Sequence, residues 1–131
     1  MALTPIRSVS AAAAAVMLAV TCWASLATAA PDARPYDEKL LRLTEIMGAV
    51  HYLRELCSAN DGQAWRERMH DLIEREGTSA LRKATLTRSF NQGYRSYART
   101  YASCTPSAQS AITRFLTEGA GIADELAKTA R

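Results

Sequence analysis

The sequence predicts an all-α protein, a small four-helix bundle in up-down-up-down order with one disulfide, preceded by a cleaved signal peptide. Apolar residues recur at three- and four-residue steps in four successive segments, and no stretch alternates with period two. The 131 residues include only 6 Gly and 4 Pro, few for the turns of a β protein. With 48% hydrophobic and 22% charged residues, the composition is that of one globular domain and excludes a disordered chain.

The first thirty residues have the three parts of a secretory signal peptide. Arg7 precedes an Ala-rich apolar run that ends at Leu26, and residues 27–29 form an A-x-A cleavage site. We predict that residues 1–29 are removed, that 30–36 form a flexible lead-in, and that 37–128 form the helical domain of a periplasmic protein. A membrane anchor is the alternative, but the run of 16 apolar residues is shorter than the roughly 18 to 20 that span a bilayer.

A lipoprotein is not expected either, since lipidation of Cys22 requires a small residue before it and Thr21 stands there. No membrane span is therefore expected after signal cleavage.

The first predicted helix starts at the acidic pair Asp37 and Glu38, because acids favour the positive end of the helix dipole. It ends at the turn signal 58–62, and the second helix runs from about Gln63 to Glu76. Each helix carries one apolar stripe. The stripes are Leu40, Leu43, Met47, Val50 and Cys57, widened by Ile46 and Leu53, in the first helix, and Trp65, Met69, Leu72 and Ile73 in the second.

The third predicted helix covers about 80–103, with Gly77 capping the helix before it and Thr78 or Ser79 as its own N-cap. The fourth begins at Thr105-Pro106, an N-cap followed by proline at the first helical position. Apolar stripes again mark the buried faces. They are Leu86, Phe90, Gly93, Tyr94, Tyr97 and Tyr101 in the third helix, and Ala108, Ile112, Phe115, Gly119, Ile122 and Leu126 in the fourth.

Signal cleavage leaves two cysteines, Cys57 and Cys104, and two cysteines in an oxidising compartment indicate one disulfide. In an up-down-up-down bundle the first and third helices are parallel, so the ends that carry these cysteines meet. We predict a disulfide that closes a loop of 48 residues and stabilises the fold by about 4 kcal/mol through chain entropy. The alternative is two separate buried thiols.

Six segments of the chain carry a resemblance to a known family. They are Arg-Leu-Thr-Glu-Ile (42–46), His-Tyr-Leu-Arg-Glu-Leu-Cys (51–57), Trp65-Arg66, Phe-Asn-Gln-Gly-Tyr-Arg (90–95), Thr-Tyr-Ala-Ser-Cys-Thr (100–105) and Glu118-Gly119. With them, residues 37 to about 126 resemble an uncharacterised proteobacterial family of small exported helical proteins marked by two well-separated cysteines. The resemblance implies export and pairing of those cysteines, and it brings no assigned reaction, cofactor or catalytic residue.

No catalytic or metal-binding constellation is recognisable, so neither an enzyme nor a cofactor or metal site is expected. Neither histidine has a second His or Cys at i+4, and no H-E-x-x-H, C-x-x-C-H or G-x-S-x-G motif is present. The candidate interior polar and aromatic residues are His51, Tyr94, Tyr97 and Tyr101. At helical spacing such residues are usually core. The alternative is a small-ligand, cofactor or enzyme site that they line.

Charge is segregated along the chain. The 41 positions between Glu76 and Glu118 hold six basic and no acidic residues, although the net charge of +3 is too small for a dedicated nucleic-acid binder. On the third helix, Arg88, Gln92, Arg95 and Arg99 fall on one line opposite the aromatic face.

This line predicts a non-catalytic interaction module of the cell envelope, whose partner is an acidic protein or an anionic envelope component. No nucleic-acid partner is expected, and the oligomeric state is left open. The alternative is a solvated outer face with some arginines paired to Glu38, Glu45 or Glu74.

Overall fold

The computed structural model describes residues 32–130 and contains four α-helices in that part of the chain. Helix α1 spans Asp37–Leu56, α2 Ala64–Glu76, α3 Ala80–Thr100 and α4 Pro106–Thr129. No strand occurs among the described residues. The predicted all-α fold is therefore confirmed, whereas the predicted signal peptide and the start of the lead-in lie outside the described residues.

The start of each long outer helix follows its capping residue. The Ser79 side chain accepts a hydrogen bond from the backbone N–H of Arg82, and that of Thr105 accepts one from Ala108. These bonds satisfy backbone donors that have no partner within the helix. The predicted N-caps of α3 and α4 are thus confirmed.

Helix α3 ends three residues before the predicted end at 103. Tyr101 leaves the helix with φ −122° and ψ 118°, an extended conformation. Its carbonyl oxygen accepts a hydrogen bond from the Tyr52 hydroxyl on α1. This tertiary bond, which periodicity does not reveal, draws the chain out of the helix.

Helix α1 is the centre of the bundle and contacts each of the other three helices. Helix α3 runs parallel to it, because Arg82 near the start of α3 pairs with Asp37 at 2.7 Å and the disulfide joins Cys57 to Cys104 at the other end. The two Cα atoms of the disulfide lie 4.9 Å apart. The predicted disulfide and the parallel direction of the first and third helices are confirmed.

Two apolar clusters lie along α1 and together form the core. Thr44, fully buried among them, donates its hydroxyl to the backbone carbonyl of Leu41, so its burial leaves no unpaired donor. The cluster towards α4 comprises Ile46, Ala49, Val50, Leu53, Ala108, Ala111 and Phe115. The cluster towards α2 and α3 comprises Leu40, Met47, Met69, Leu86 and Phe90.

Helices α1 and α3 cross with their backbones in contact at two glycines. A Cβ atom on Gly48 would lie 1.9 Å from the carbonyl oxygen of Phe90, and one on Gly93 would lie 1.9 Å from the carbonyl oxygen of Glu45. Backbone oxygens cannot rotate away as a flexible side chain can. Only glycine fits at either position, and any larger residue forces the two helices apart.

Substitution of Gly93 by alanine should lower the free energy of unfolding by about 2–3 kcal/mol, because the added methyl group overpacks a rigid contact. Gly121→Ala is the matched control, since a Cβ there meets nothing within 4 Å. It should raise the free energy of unfolding by about 0.5–1 kcal/mol through helix propensity. Urea unfolding of both variants measures the two effects, and equal stability of the two would contradict the glycine crossing.

Candidate functional site

The basic face of α3, defined as Arg88, Gln92, Arg95 and Arg99, is exposed along its whole length. In the described part of the chain, none of its three arginines forms an ion pair. Arg88 and Arg95 border a shallow depression of about 360 Å³ on the outside of the bundle. The face therefore presents cations whose charge no neighbouring carboxylate neutralises.

Two of the three acids that were candidate partners for these arginines bind other cations. Glu45 pairs with Arg42 at 2.9 Å, and Glu74 pairs with Lys83 at 3.4 Å. Glu38 forms no ion pair within residues 32–130. In the described chain none of the three acids therefore pairs with the basic face.

One exposed leucine lies on the same line of α3 as the basic face. Leu81 is 66% exposed and precedes Arg88 by seven positions, which is two helical turns. Leu81 was not among the residues predicted from the sequence. It could have been recognised there as a large apolar residue outside the apolar stripe of the helix, seven positions before Arg88 and fourteen before Arg95.

Arg82, another of the six basic residues in this region, belongs to the structural core. Its side chain is only 7% exposed, and its guanidinium bonds the Glu76 backbone carbonyl at 2.6 Å besides pairing with Asp37. The hydrogen bond from Arg82 holds the pKa of Asp37 below its usual value. This cation joins the start of α1 to the α2–α3 turn and is not part of a docking surface.

His51 lies in the core, 4% exposed, where its Nε2 accepts a hydrogen bond from Nε of Arg66 at 3.1 Å. The rings of Phe90 and Tyr94 lie beside it, at 6.1 and 5.6 Å between centroids. Burial, and next the Arg66 charge, lower the pKa of His51. An acceptor nitrogen in this setting is neutral, so the geometry fits a core histidine.

The three candidate tyrosines lie at the edge of the core and are partly buried. The Tyr94 hydroxyl donates to Glu55 at 3.3 Å, and the Tyr101 hydroxyl shares a hydrogen bond with Ser107 at 3.0 Å. The Tyr97 ring packs edge-on against Phe115 with centroids 5.0 Å apart. Tyr94 therefore lies beside His51, whereas Tyr97 packs on Phe115 and Tyr101 bonds to Ser107, so each tyrosine has a partner within the protein.

A groove lies between α2 and α4, and the sequence pattern did not predict it. It consists of two adjoining cavities of about 390 and 320 Å³, which share Leu43, Arg68 and Ala123. The groove exists because α2 and α4 both pack on α1 without packing on each other. The available signal was the run of small residues on α4, where Gly119, Ala120 and Ala123 leave this space open.

Between residues 32 and 130, no three His, Cys, Asp or Glu side chains are grouped as metal ligands would be. No helix in this range has both the length and the hydropathy needed to cross a bilayer.

The protonation of His51 should make stability depend on pH. Its folded-state pKa lies below the ordinary value of 6.5, so the unfolded chain binds more protons and stability falls as pH drops below 6.5. A difference of one bound proton limits this slope to at most about 1.4 kcal/mol per pH unit. Urea unfolding across pH 5 to 8 measures this slope. The charged and titratable groups around His51 are Arg66, Glu55, Asp61 and Tyr94.

His51→Leu should remove this slope, because leucine binds no proton. His70→Gln is the control, since His70 is exposed and its replacement should keep the slope. Retention of the slope in His51→Leu would contradict the assignment.

Comparison with known proteins gives a family and no activity. A family model described as a protein of unknown function (DUF2385) matches residues 35–129, which include all four helices and both bridged cysteines. Neither the curated proteins nor the solved structures include a match to this chain. Because the matched region is well over half of the chain, the protein belongs to the DUF2385 family of unknown function.

Proposed function

We propose that the protein is an exported, non-catalytic module of the cell envelope that binds an anionic membrane surface through the basic face of α3 and Leu81. The observation that carries this proposal is the alignment of three unpaired arginines with one exposed leucine on a single helix line. Basic residues close to anionic lipid contribute about 1 kcal/mol each. Burial of a leucine side chain adds about 1.5–3 kcal/mol, so charge and apolar contact act together.

The composition of this line favours a lipid surface over an acidic protein. Energetically dominant residues of protein interfaces include buried aromatic anchors. On α3, the aromatic residues Phe90, Tyr94 and Tyr97 lie towards α1 and α4 and away from the basic face. The exposed line instead combines long cationic side chains with an aliphatic tip, as surface-bound amphipathic helices do.

Export is supported by two features of the chain. Residues 1–29 have the charge, apolar run and small residues of a secretory signal. The Cys57–Cys104 disulfide is of a kind that persists in oxidising compartments and is rare in the cytosol of mesophiles. Together they favour the periplasm as the place where the basic face meets its membrane.

The intact mass of the protein from the envelope fraction, alkylated without reductant, tests export. We expect a chain of about 102 residues that lacks residues 1–29 and carries no alkyl group, because Cys57 and Cys104 are paired. Reduction before alkylation should add two alkyl groups. A full-length mass with alkylated thiols would refute both export and the proposed compartment.

Vesicle binding tests the proposed surface. The protein should sediment with vesicles of phosphatidylglycerol at low salt and dissociate at high salt, because the attraction is electrostatic. Changing Arg88, Arg95 and Arg99 to Gln should weaken binding by more than about tenfold, and Leu81→Ser should weaken it by a smaller factor.

The matched control changes three exposed basic residues elsewhere to Gln, Arg34, Arg114 and Lys128, for the same loss of net charge. This variant should keep most of the binding. An equal loss in both triple variants would show that net charge alone governs binding. Binding to an acidic polypeptide but not to the vesicles would assign the face to a protein partner and overturn the proposal.

A further inference from the structure

We propose that the groove between α2 and α4 binds a single-chain amphiphile, with its apolar tail over α1 and its anionic head group against Arg68. This site is on a different side of the molecule from the basic face and does not depend on membrane binding. It would take one free lipid molecule, whereas the basic face would bind the surface of a bilayer.

The smaller of the two cavities, here called the upper cavity, provides the apolar half of the site, and the larger is called the lower cavity. The upper cavity is lined by α1, by Phe115 and Ala120 of α4, and by Trp65 of α2. Arg68 is the single charged residue that lines this cavity of about 320 Å³. The volume lies at the lower end of the roughly 300–1,000 Å³ of ligand sites, which fits one chain and is small for a two-chain lipid.

Arg68 provides the polar half of the site at the mouth that the two cavities share. Its guanidinium lies over the Trp65 ring, 4.8 Å from the centroid. Within residues 32–130 it forms no ion pair. The positive charge of Arg68 is therefore available to pair with an anionic head group.

A chain of polar contacts fixes the position of Arg68. The Trp65 indole, over which Arg68 lies, donates its N–H to Oδ2 of Asp61 at 2.9 Å. Asp61 in turn binds the guanidinium of Arg54 on α1, with 2.7 Å between Oδ1 and Nη2. These two donors, Arg54 first, hold the pKa of Asp61 well below its usual range, so the acceptor stays ionised at ordinary pH. The indole and the cation over it are thus held in place before a ligand arrives.

Arg68 is the one charged residue that both cavities share. Asp71, Arg75 and Glu76 line the lower cavity but not the upper one. A head group held where the two cavities meet therefore lies against the Arg68 cation, and an anionic amphiphile is the complementary ligand.

A second copy of the chain is a poorer occupant of the groove. Stable interfaces bury about 1,200–2,000 Å² and have an apolar core. Among the described residues, the large exposed hydrophobics are Leu81 and Leu116, and only Leu116 borders the groove. The apolar surface here is concave and narrow, which suits a slender ligand.

The probe is dodecanoate, at concentrations below micelle formation, and the readout is the fluorescence of Trp65. Trp23 lies within residues 1–29, which the proposed export removes, so the processed chain used here carries Trp65 alone, at the groove. We expect a saturable, one-to-one change of its emission by dodecanoate. Dodecyltrimethylammonium, which has the same tail and a cationic head, should bind at least about fivefold more weakly.

Two variants separate the tail contact from the head contact. Ala123→Phe fills the space that both cavities share and should abolish binding of either amphiphile; Ala98→Phe, on the exposed side of α3, is its control. Arg68→Gln should weaken dodecanoate about fivefold and leave the cationic amphiphile unweakened. Arg88→Gln, a basic-face variant, is the control and should bind dodecanoate like the parent chain.

Four results would overturn the proposal. They are the absence of saturable binding, unchanged binding in a folded Ala123→Phe chain, equal affinity for the two head groups, and a dimer that Ala123→Phe dissociates. The last result would show that a second copy covers the groove. If Ala123→Phe does not fold, Arg68→Gln and the two head groups still decide the matter, because an exposed arginine is not needed for folding.

Discussion

The backbone contact of α1 and α3 at Gly48 and Gly93 is the constraint on which the rest of the structure depends. It fixes the register of two parallel helices, and that register brings the partners together at both ends of the pair. At one end Arg82 reaches Asp37, and at the other the two bridged cysteines meet. Since α1 then has α3 on one side, α2 and α4 take the remaining sides and leave a gap between them.

Cationic side chains have three distinct roles in this small domain. Arg82 is buried and paired, and holds the helix starts together. The arginines of the basic face are exposed and have no acidic partner in the described chain, so they contribute positive charge without forming ion pairs. Arg68 is between these extremes, since an aromatic ring holds it in place while its charge remains available. Sequence composition counts these arginines alike, and their surroundings distinguish them.

Periodicity and capping predicted most of the fold, because helices are encoded locally. Ser79 and Thr105 mark helix starts by their own chemistry, and the disulfide followed from helix direction together with the two cysteines that signal cleavage leaves. The role of Gly48 and the groove could not be found in this way, because both depend on which helices become neighbours and how closely. His51 was expected in the interior and lies there, but its hydrogen bond from Arg66 could not be predicted for a related reason, since Arg66 is on another helix.

The disulfide divides the described chain into a covalent ring and two tails, one with α1 and one with α4. Residues 57–104 form a closed loop that contains α2 and α3, and α1 is attached to it at Cys57. A protease that cuts the turn between α1 and α2 releases nothing, whereas one that cuts just after Cys104 frees the whole of α4. Noncovalent contacts alone then retain this helix, among them Arg42–Glu118 at 2.7 Å with α1 and the packing of Phe115 on Tyr97 of α3. After such a cut the position of α4 depends on side-chain packing and charge, whereas α1, α2 and α3 stay joined through the disulfide.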